Sequence, residues 1–198
     1  MRYALLGLLC LCLAPPASAQ TGWTLSGELG SNRFSRAAHD TSSPVVSLGA
    51  WRATSYTIRL ARDNGSTALT LSTGYTSSPF AAWIENVAVI QGGELALYEF
   101  GLTYGRRVVR SGRGAALRVE AGPVLHLWTM SGEDPRSRLG ALLGTVVELP
   151  LTERWRVDLR ADLTLTRSWM RPEDEDAAIT RESSMRRGRL ALGITRKL

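Results

Sequence analysis

RWRVDLRADLTLTRS, Arg154 to Ser168, decides the fold. Arg156, Asp158, Arg160 and Asp162 place a charge at every second position, and Val157, Leu159, Ala161, Leu163 and Leu165 fill the places between. On a helix, at about 100° per residue, these charges would scatter around the cylinder. A strand sorts them, because successive side chains point to opposite faces. The stretch therefore reads as a strand with one apolar and one charged face. In a soluble barrel or sandwich the apolar face is the core; in a membrane barrel it meets lipid and the charges turn inward.

The start of the chain narrows the choice. Arg2 is followed by an apolar run from Tyr3 to Leu13, too short to span a bilayer. Pro15 and Pro16 break the run, and Ala17-Ser18-Ala19 supplies the small residues of a cleavage site. The expectation is a signal peptide over residues 1–19, cleaved before Gln20, and one domain over 20–198. An N-terminal anchor helix is the alternative. Cys10 and Cys12 both lie in the leader, so the mature chain would carry no disulfide and no cysteine-based metal or redox site. No later apolar run is long enough for a transmembrane helix. The net charge of +6 comes mostly from arginines spread along strands beside acids, which argues against a nucleic-acid patch. There is no long-period repeat, low-complexity tract or linker.

Alternation recurs along the mature sequence. Trp23, Leu25 and Leu29 oppose Thr24, Ser26 and Glu28; Tyr56, Ile58 and Leu60 oppose Ser55, Thr57 and Arg59. Asp63-Asn64-Gly65-Ser66 is a hairpin signal. Leu69, Leu71, Thr73 and Tyr75 face Thr70, Ser72 and Gly74. Ala96, Tyr98, Phe100, Leu102 and Tyr104 oppose Glu99, Gly101 and Thr103. Leu117, Val119, Ala121, Leu125 and Leu127 oppose Arg118, Glu120, Gly122 and His126. Leu139, Ala141, Leu143, Thr145 and Val147 oppose Gly140, Gly144 and Glu148. Leu190, Leu192 and Ile194 oppose Arg189, Ala191 and Gly193.

This predicts an all-β chain of eight strands, closed as an antiparallel up-and-down transmembrane barrel. Residues 76–93 read as a long connection, 106–114 as a basic turn, 131–138 as a polar loop, and 169–184 as a long loop holding the acid run Glu173 to Asp176. Short turns at one end and longer connections at the other suit an outer-membrane barrel. Trp23, Tyr104 and Trp155 are placed to form an aromatic girdle on the periplasmic side, with Tyr56 and Tyr75 nearer the other. A ten-strand alternative turns the chain at Arg52-Ala53-Thr54 and again at Gly92-Gly93; the unbroken parity from Val46 to Leu60 favours eight.

Collected from the polar faces, the acids are Glu28, Glu99, Glu120, Glu148, Asp158 and Asp162, and the bases Arg59, Arg118, Arg156, Arg160, Arg187 and Arg189. A closed interior must pair its charges, because an unpaired buried charge costs several kcal/mol. These twelve residues are expected to form a lumenal ion-pair network, with interleaved Gly and Ala leaving room for the arginines. Eight strands give an interior that side chains can fill.

A leader, eight alternating strands, no mature cysteine and the closing strand LALGITRKL together resemble the small bacterial outer-membrane β-barrels of the OmpX-like or OmpA-barrel type. The resemblance is architectural and covers nearly all of the mature chain. In that family the final residue is usually Phe; here Leu198 keeps an apolar end. The resemblance implies residence in the bacterial outer membrane, contact with its lipid and lipopolysaccharide, delivery by the barrel-assembly machinery and a monomeric state.

Some small barrels edit lipid A, and a deacylase of the PagL type pairs His with a nearby Ser in a His-x-Ser arrangement. Here the corresponding stretch is His126-Leu127-Trp128, without the Ser, and His126 falls on the lumenal face. A nucleophile needs a base within hydrogen-bond reach. Asp158 and Asp162, roughly 13 Å apart on one strand, are too distant to share a metal or a proton. Residues 173–176 read as a solvated loop rather than a cation site, and Gly112 and Gly114 within RSGRG lack the Walker spacing. No catalytic residue, cofactor or metal is expected. The leading expectation is a non-enzymatic integral outer-membrane barrel with a charge-filled lumen, acting structurally or through its outer loops in adhesion or surface interaction. The alternatives are a lipid A-modifying enzyme and a soluble periplasmic barrel that binds a lipophilic ligand.

Overall fold

The structure, a computed structural model, describes residues 22–40, 46–84, 87–112, 114–130, 134–169, 179–181 and 183–198. The expected leader over 1–19 and the acid run over 173–176 lie outside the described residues.

Eleven strand segments are described: β1 (Gly22–Phe34), β2 (Ala38–Asp40), β3 (Val46–Ala50), β4 (Ala53–Asp63), β5 (Thr67–Ile84), β6 (Val87–Arg110), β7 (Ala116–Met130), β8 (Arg136–Pro150), β9 (Trp155–Arg167), β10 (Ile179–Arg181) and β11 (Ser184–Lys197). Eight of them are the staves of a closed ring, β1-β4-β5-β6-β7-β8-β9-β11, with β11 returning to β1 and every neighbour antiparallel. Closure removes the open sheet edges that membrane hydrocarbon would not tolerate. The staves run from 11 residues in β4 to 24 in β6, long enough to cross a bilayer when tilted.

The three short segments sit at one end. β3 pairs with the far part of β5 (Val46 opposite Ile84, Ala50 opposite Phe80), and β2 joins β3 to β10. The ten-strand alternative fails for a local reason. β3 and β4 line the same side of β5 in sequence, one long stave interrupted at Trp51-Arg52 rather than a hairpin. Gly92-Gly93 is an irregularity within continuous β6, not a turn. Both interruptions lie opposite Pro79, whose ring nitrogen has no proton for the ladder. The Trp51 amide instead donates to the Pro79 carbonyl (3.0 Å), and Ser78 Oγ donates to the Trp51 carbonyl (2.8 Å).

Two readings of connections are corrected. Residues 76–93 are not a loop: β5 reaches Ile84 and β6 resumes at Val87, a hairpin overshooting the ring. Residues 106–114 are only partly a turn, because β6 continues to Arg110. The turn between β4 and β5 forms as its residues dictate. Gly65 takes φ of 85°, Asp63 Oδ1 accepts from the Gly65 amide (2.8 Å), and Asn64 Oδ1 accepts from the Thr67 amide (2.7 Å).

Burial follows the alternation but with polarity reversed relative to a soluble protein. Outward positions are Trp23, Leu25 and Leu29 on β1, Leu159, Leu163 and Leu165 on β9, and Leu190, Leu192 and Ile194 on β11, all exposed. Inward positions carry buried arginine, aspartate, glutamate, serine and threonine. Tyr56, Tyr75 and Tyr98 form one outward cross-strand row, with the Tyr75 and Tyr98 rings 5.2 Å apart. Trp23 and Trp155 are exposed near the short-turn end, with Arg196 stacked over the Trp155 ring.

Candidate functional site

All twelve residues collected from the polar faces point into the barrel. Eleven are buried, and Arg156 is half-buried nearest the short-turn end. The strand phase alone puts them there; barrel curvature then brings distant staves into contact. Glu28 on β1 is the hub. Its Oε1 accepts from Arg59 Nε (2.8 Å) and Arg160 Nε (3.0 Å), and its Oε2 from Arg189 Nη2 (2.5 Å). Arg160 also donates to Glu120, and Arg189 Nε to Asp162 Oδ2 (3.1 Å). Arg59 lies 3.6 Å from Asp162. The Arg/Asp alternation on β9 is thus used mostly across the lumen rather than along the strand.

Two further layers flank this centre. Toward the short turns, Arg107 bridges Asp63 and Glu148, Arg118 lies 2.7 Å from Glu148, and Arg156 lies 3.1 Å from Asp158. Thr195 Oγ1 donates to Asp158 (2.5 Å). Toward the long connections, Arg187 donates to Glu99, whose Oε2 is 2.8 Å from His126 Nε2. His126 is fully buried and faces the lumen. Asp158 and Asp162 are held by different partners, so they form no shared acid/base pair.

Asp63 and Arg107 were not foreseen. In the sequence Asp63 reads as turn chemistry and Arg107 as part of a basic turn. Parity contained the signal: Arg107 shares the odd face of Glu99, Gly101 and Thr103. Adding this pair makes seven carboxylates (Glu28, Asp63, Glu99, Glu120, Glu148, Asp158, Asp162) and seven guanidinium groups (Arg59, Arg107, Arg118, Arg156, Arg160, Arg187, Arg189). The charges of this set cancel, as a low-dielectric interior requires.

Inward glycines make the space. A Cβ on Gly144 would stand 2.5 Å from Asp162 Oδ1 and 3.3 Å from Glu120 Cγ, and one on Gly193 would stand 2.9 Å from Glu28 Cγ. Gly144→Val is therefore expected to displace the central carboxylates and destabilise the barrel by about 1–3 kcal/mol. An unchanged urea unfolding midpoint in vesicles would contradict that packing.

Above the charged layers the lumen turns apolar, a feature absent from the sequence reading, which gives Leu95, Leu97 and Trp128 no face. Leu95, Leu97, Trp128, Trp169 and Met185 pack with Ala37, Ala38 and Ala50. The Trp128 ring is 5.6 Å from Phe34 and 6.4 Å from Trp169. Charged layers and apolar cap together line the interior of the ring.

This arrangement can be compared with solved structures. Neisserial surface protein A is similar with a TM-score of 0.59 at 14% identity, over 91% of this chain and 99% of that one. The fold is that of the small outer-membrane β-barrels. Ail, the attachment invasion locus protein of Yersinia pestis, solved with the heparin analogue sucrose octasulfate, gives 0.55 at 10% identity over 90% and 99%. The outer membrane protein AlkL, solved in lipid bilayers, gives 0.62 at 13% identity over 93% and 94%. No protein-family model matches the sequence, and no curated protein does.

Proposed function

We propose that the chain is a non-enzymatic integral outer-membrane barrel that acts structurally or through the segments beyond its outer end. The observation that carries this reading is the reversed polarity of a closed ring: leucines outside, a charge-neutral ion-pair network inside. Such a wall suits hydrocarbon, and such a lumen suits a rigid plug rather than a general pore. Lipid A editing would need reactive groups facing lipid, whereas His126 is sealed inside against Glu99. The overshooting β5–β6 hairpin and the β10-β2-β3 annex give the outer end a surface of its own. Ail, an attachment protein bound to a heparin analogue, supports surface interaction as the use of such an end.

The test is fractionation with gel mobility before and after boiling, together with mass spectra of lipid A. Detergent-requiring material that runs faster unboiled, with lipid A unchanged, is the expected result. Release by osmotic shock would revive a soluble carrier, and altered acylation would revive an enzyme. Deleting Phe80 to Gln91 tests the outer end, since Gly92-Gly93 can close the shortened hairpin. The variant is expected to keep heat-modifiable mobility and to lose attachment when displayed on bacteria; retained attachment would move the interaction elsewhere.

A further inference from the structure

The wall is not evenly covered. Across five adjacent staves, one outward row reads Thr54, Ser31, Leu190, Ala161 and Thr145. Its neighbour on the short-turn side reads Leu29, Leu192, Leu159 and Val147. Leu163 and Leu143 stand on the other side, with Gly188 between Arg33 and Leu163. A Cβ on Gly188 would meet nothing within 4 Å. Small residues between leucines leave a furrow, whose two contiguous stretches measure about 740 and 660 Å³ and share Ser31, Leu190, Ala161 and Thr145.

At its outer end the furrow meets a notch of about 580 Å³; Arg33 and Arg52 border both. Arg36 and Arg186 complete a cluster of four arginines beside the half-buried Trp51 and Trp83, whose rings are 5.8 Å apart. Among the described residues none of the four arginines is paired with a carboxylate, in contrast to the seven neutralised in the lumen. Height fixes what they would meet. Trp23 and Arg33 lie on one stave ten positions apart, which at the usual rise and tilt is roughly 25 Å, the apolar thickness of an outer-membrane barrel. The cluster therefore lies at the outer interface, where guanidinium groups suit phosphate and tryptophan suits a headgroup with one wet face.

We propose that Arg33, Arg36, Arg52 and Arg186 bind the phosphates of one lipid A molecule of the outer leaflet, with an acyl chain lying in the furrow over Ser31, Ala161 and Thr145. This rests on the outer-membrane reading and adds a defined site to the generic lipid contact. Shallow walls without the notch would bind any lipid; the conjunction of furrow and clustered cations selects an acylated, phosphorylated one.

Native mass spectrometry of the full chain in phosphatidylcholine nanodiscs doped with lipid A tests it. The wild type is expected to retain one lipid A, and Arg33→Gln/Arg52→Gln to lower that retention at least tenfold. Arg62→Gln/Arg196→Gln, outward arginines at the opposite rim, should leave it unchanged. Ala161→Phe, which fills the furrow, should lower retention of lipid A at least threefold. Dephosphorylated lipid A should be retained no better than phosphatidylcholine. Equal retention by all inserted variants would overturn the site while leaving the membrane barrel standing, as would binding of inorganic pyrophosphate undiminished in Arg33→Gln/Arg52→Gln. Failure of the wild type to enter vesicles would overturn the membrane reading and the site with it.

Discussion

Glu28→Gln is expected to destabilise the barrel by about 3–5 kcal/mol, the cost of breaking a buried ion pair by removing one partner. The side chain keeps its size, so the loss is electrostatic. Glu28 accepts from Arg59, Arg160 and Arg189, and its own side chain is 1% exposed. A glutamine offers one acceptor oxygen to three guanidinium groups and turns an amide donor toward donors. The remaining central carboxylates, Glu120 and Asp162, are already shared. Urea unfolding in phosphatidylcholine vesicles, followed by tryptophan fluorescence, would read the shift. Glu153→Gln, at an exposed turn residue, should move stability by no more than about 0.5 kcal/mol. Glu28→Gln/Arg189→Met should recover part of the loss, because it restores neutrality. A loss below about 1 kcal/mol for Glu28→Gln would mean a hydrated lumen, in which these charges are solvated rather than paired.

That prediction depends on a contact map the sequence only half contains. Alternation on β9 places Arg156, Asp158, Arg160 and Asp162 on one face because the strand period is 2, and nothing in a helix or loop mimics it. Ring closure is also foreseeable, since a largely apolar outer face in lipid leaves no other way to satisfy edge amides. Partner choice is different. Glu28 meets Arg59, Arg160 and Arg189 from three other staves, and which side chains meet across a lumen depends on the stagger between strands, a quantity spread over every turn. Asp63 escaped notice because Asn64-Gly65 makes the stretch look like turn chemistry alone, and it serves both purposes, capping Gly65 and holding Arg107. The apolar cap escaped for another reason. Leu95 and Leu97 share parity with Glu99, so the phase was available. The apolar stripe read on this strand begins at Ala96 and leaves Leu95 and Leu97 without a face, whereas both are buried in one cluster with Trp128 and Trp169.

Leu159→Arg carries the other large effect, and it separates the two possible meanings of an exposed leucine. Leu159 is 47% exposed and lies in an outward row with Leu192, Val147 and Leu29. On a soluble protein an arginine there would be nearly neutral. In a bilayer it must leave water or distort the lipid, at about 2–4 kcal/mol near the midplane and about 0–1 kcal/mol near an interface. Leu159 stands four residues along β9 from Trp155, a height of roughly 10 Å above the aromatic girdle, close to the middle of the apolar band. Leu163 is one further repeat toward the outer face, so Leu163→Arg should cost less than Leu159→Arg, and an arginine at Trp155 least of all. Folding yield and unfolding midpoint in vesicles would give this gradient, and heat-modifiable mobility would show which variants still insert. Three equal and small effects would place the leucines in water, and the outward wall would then not be a lipid-facing one.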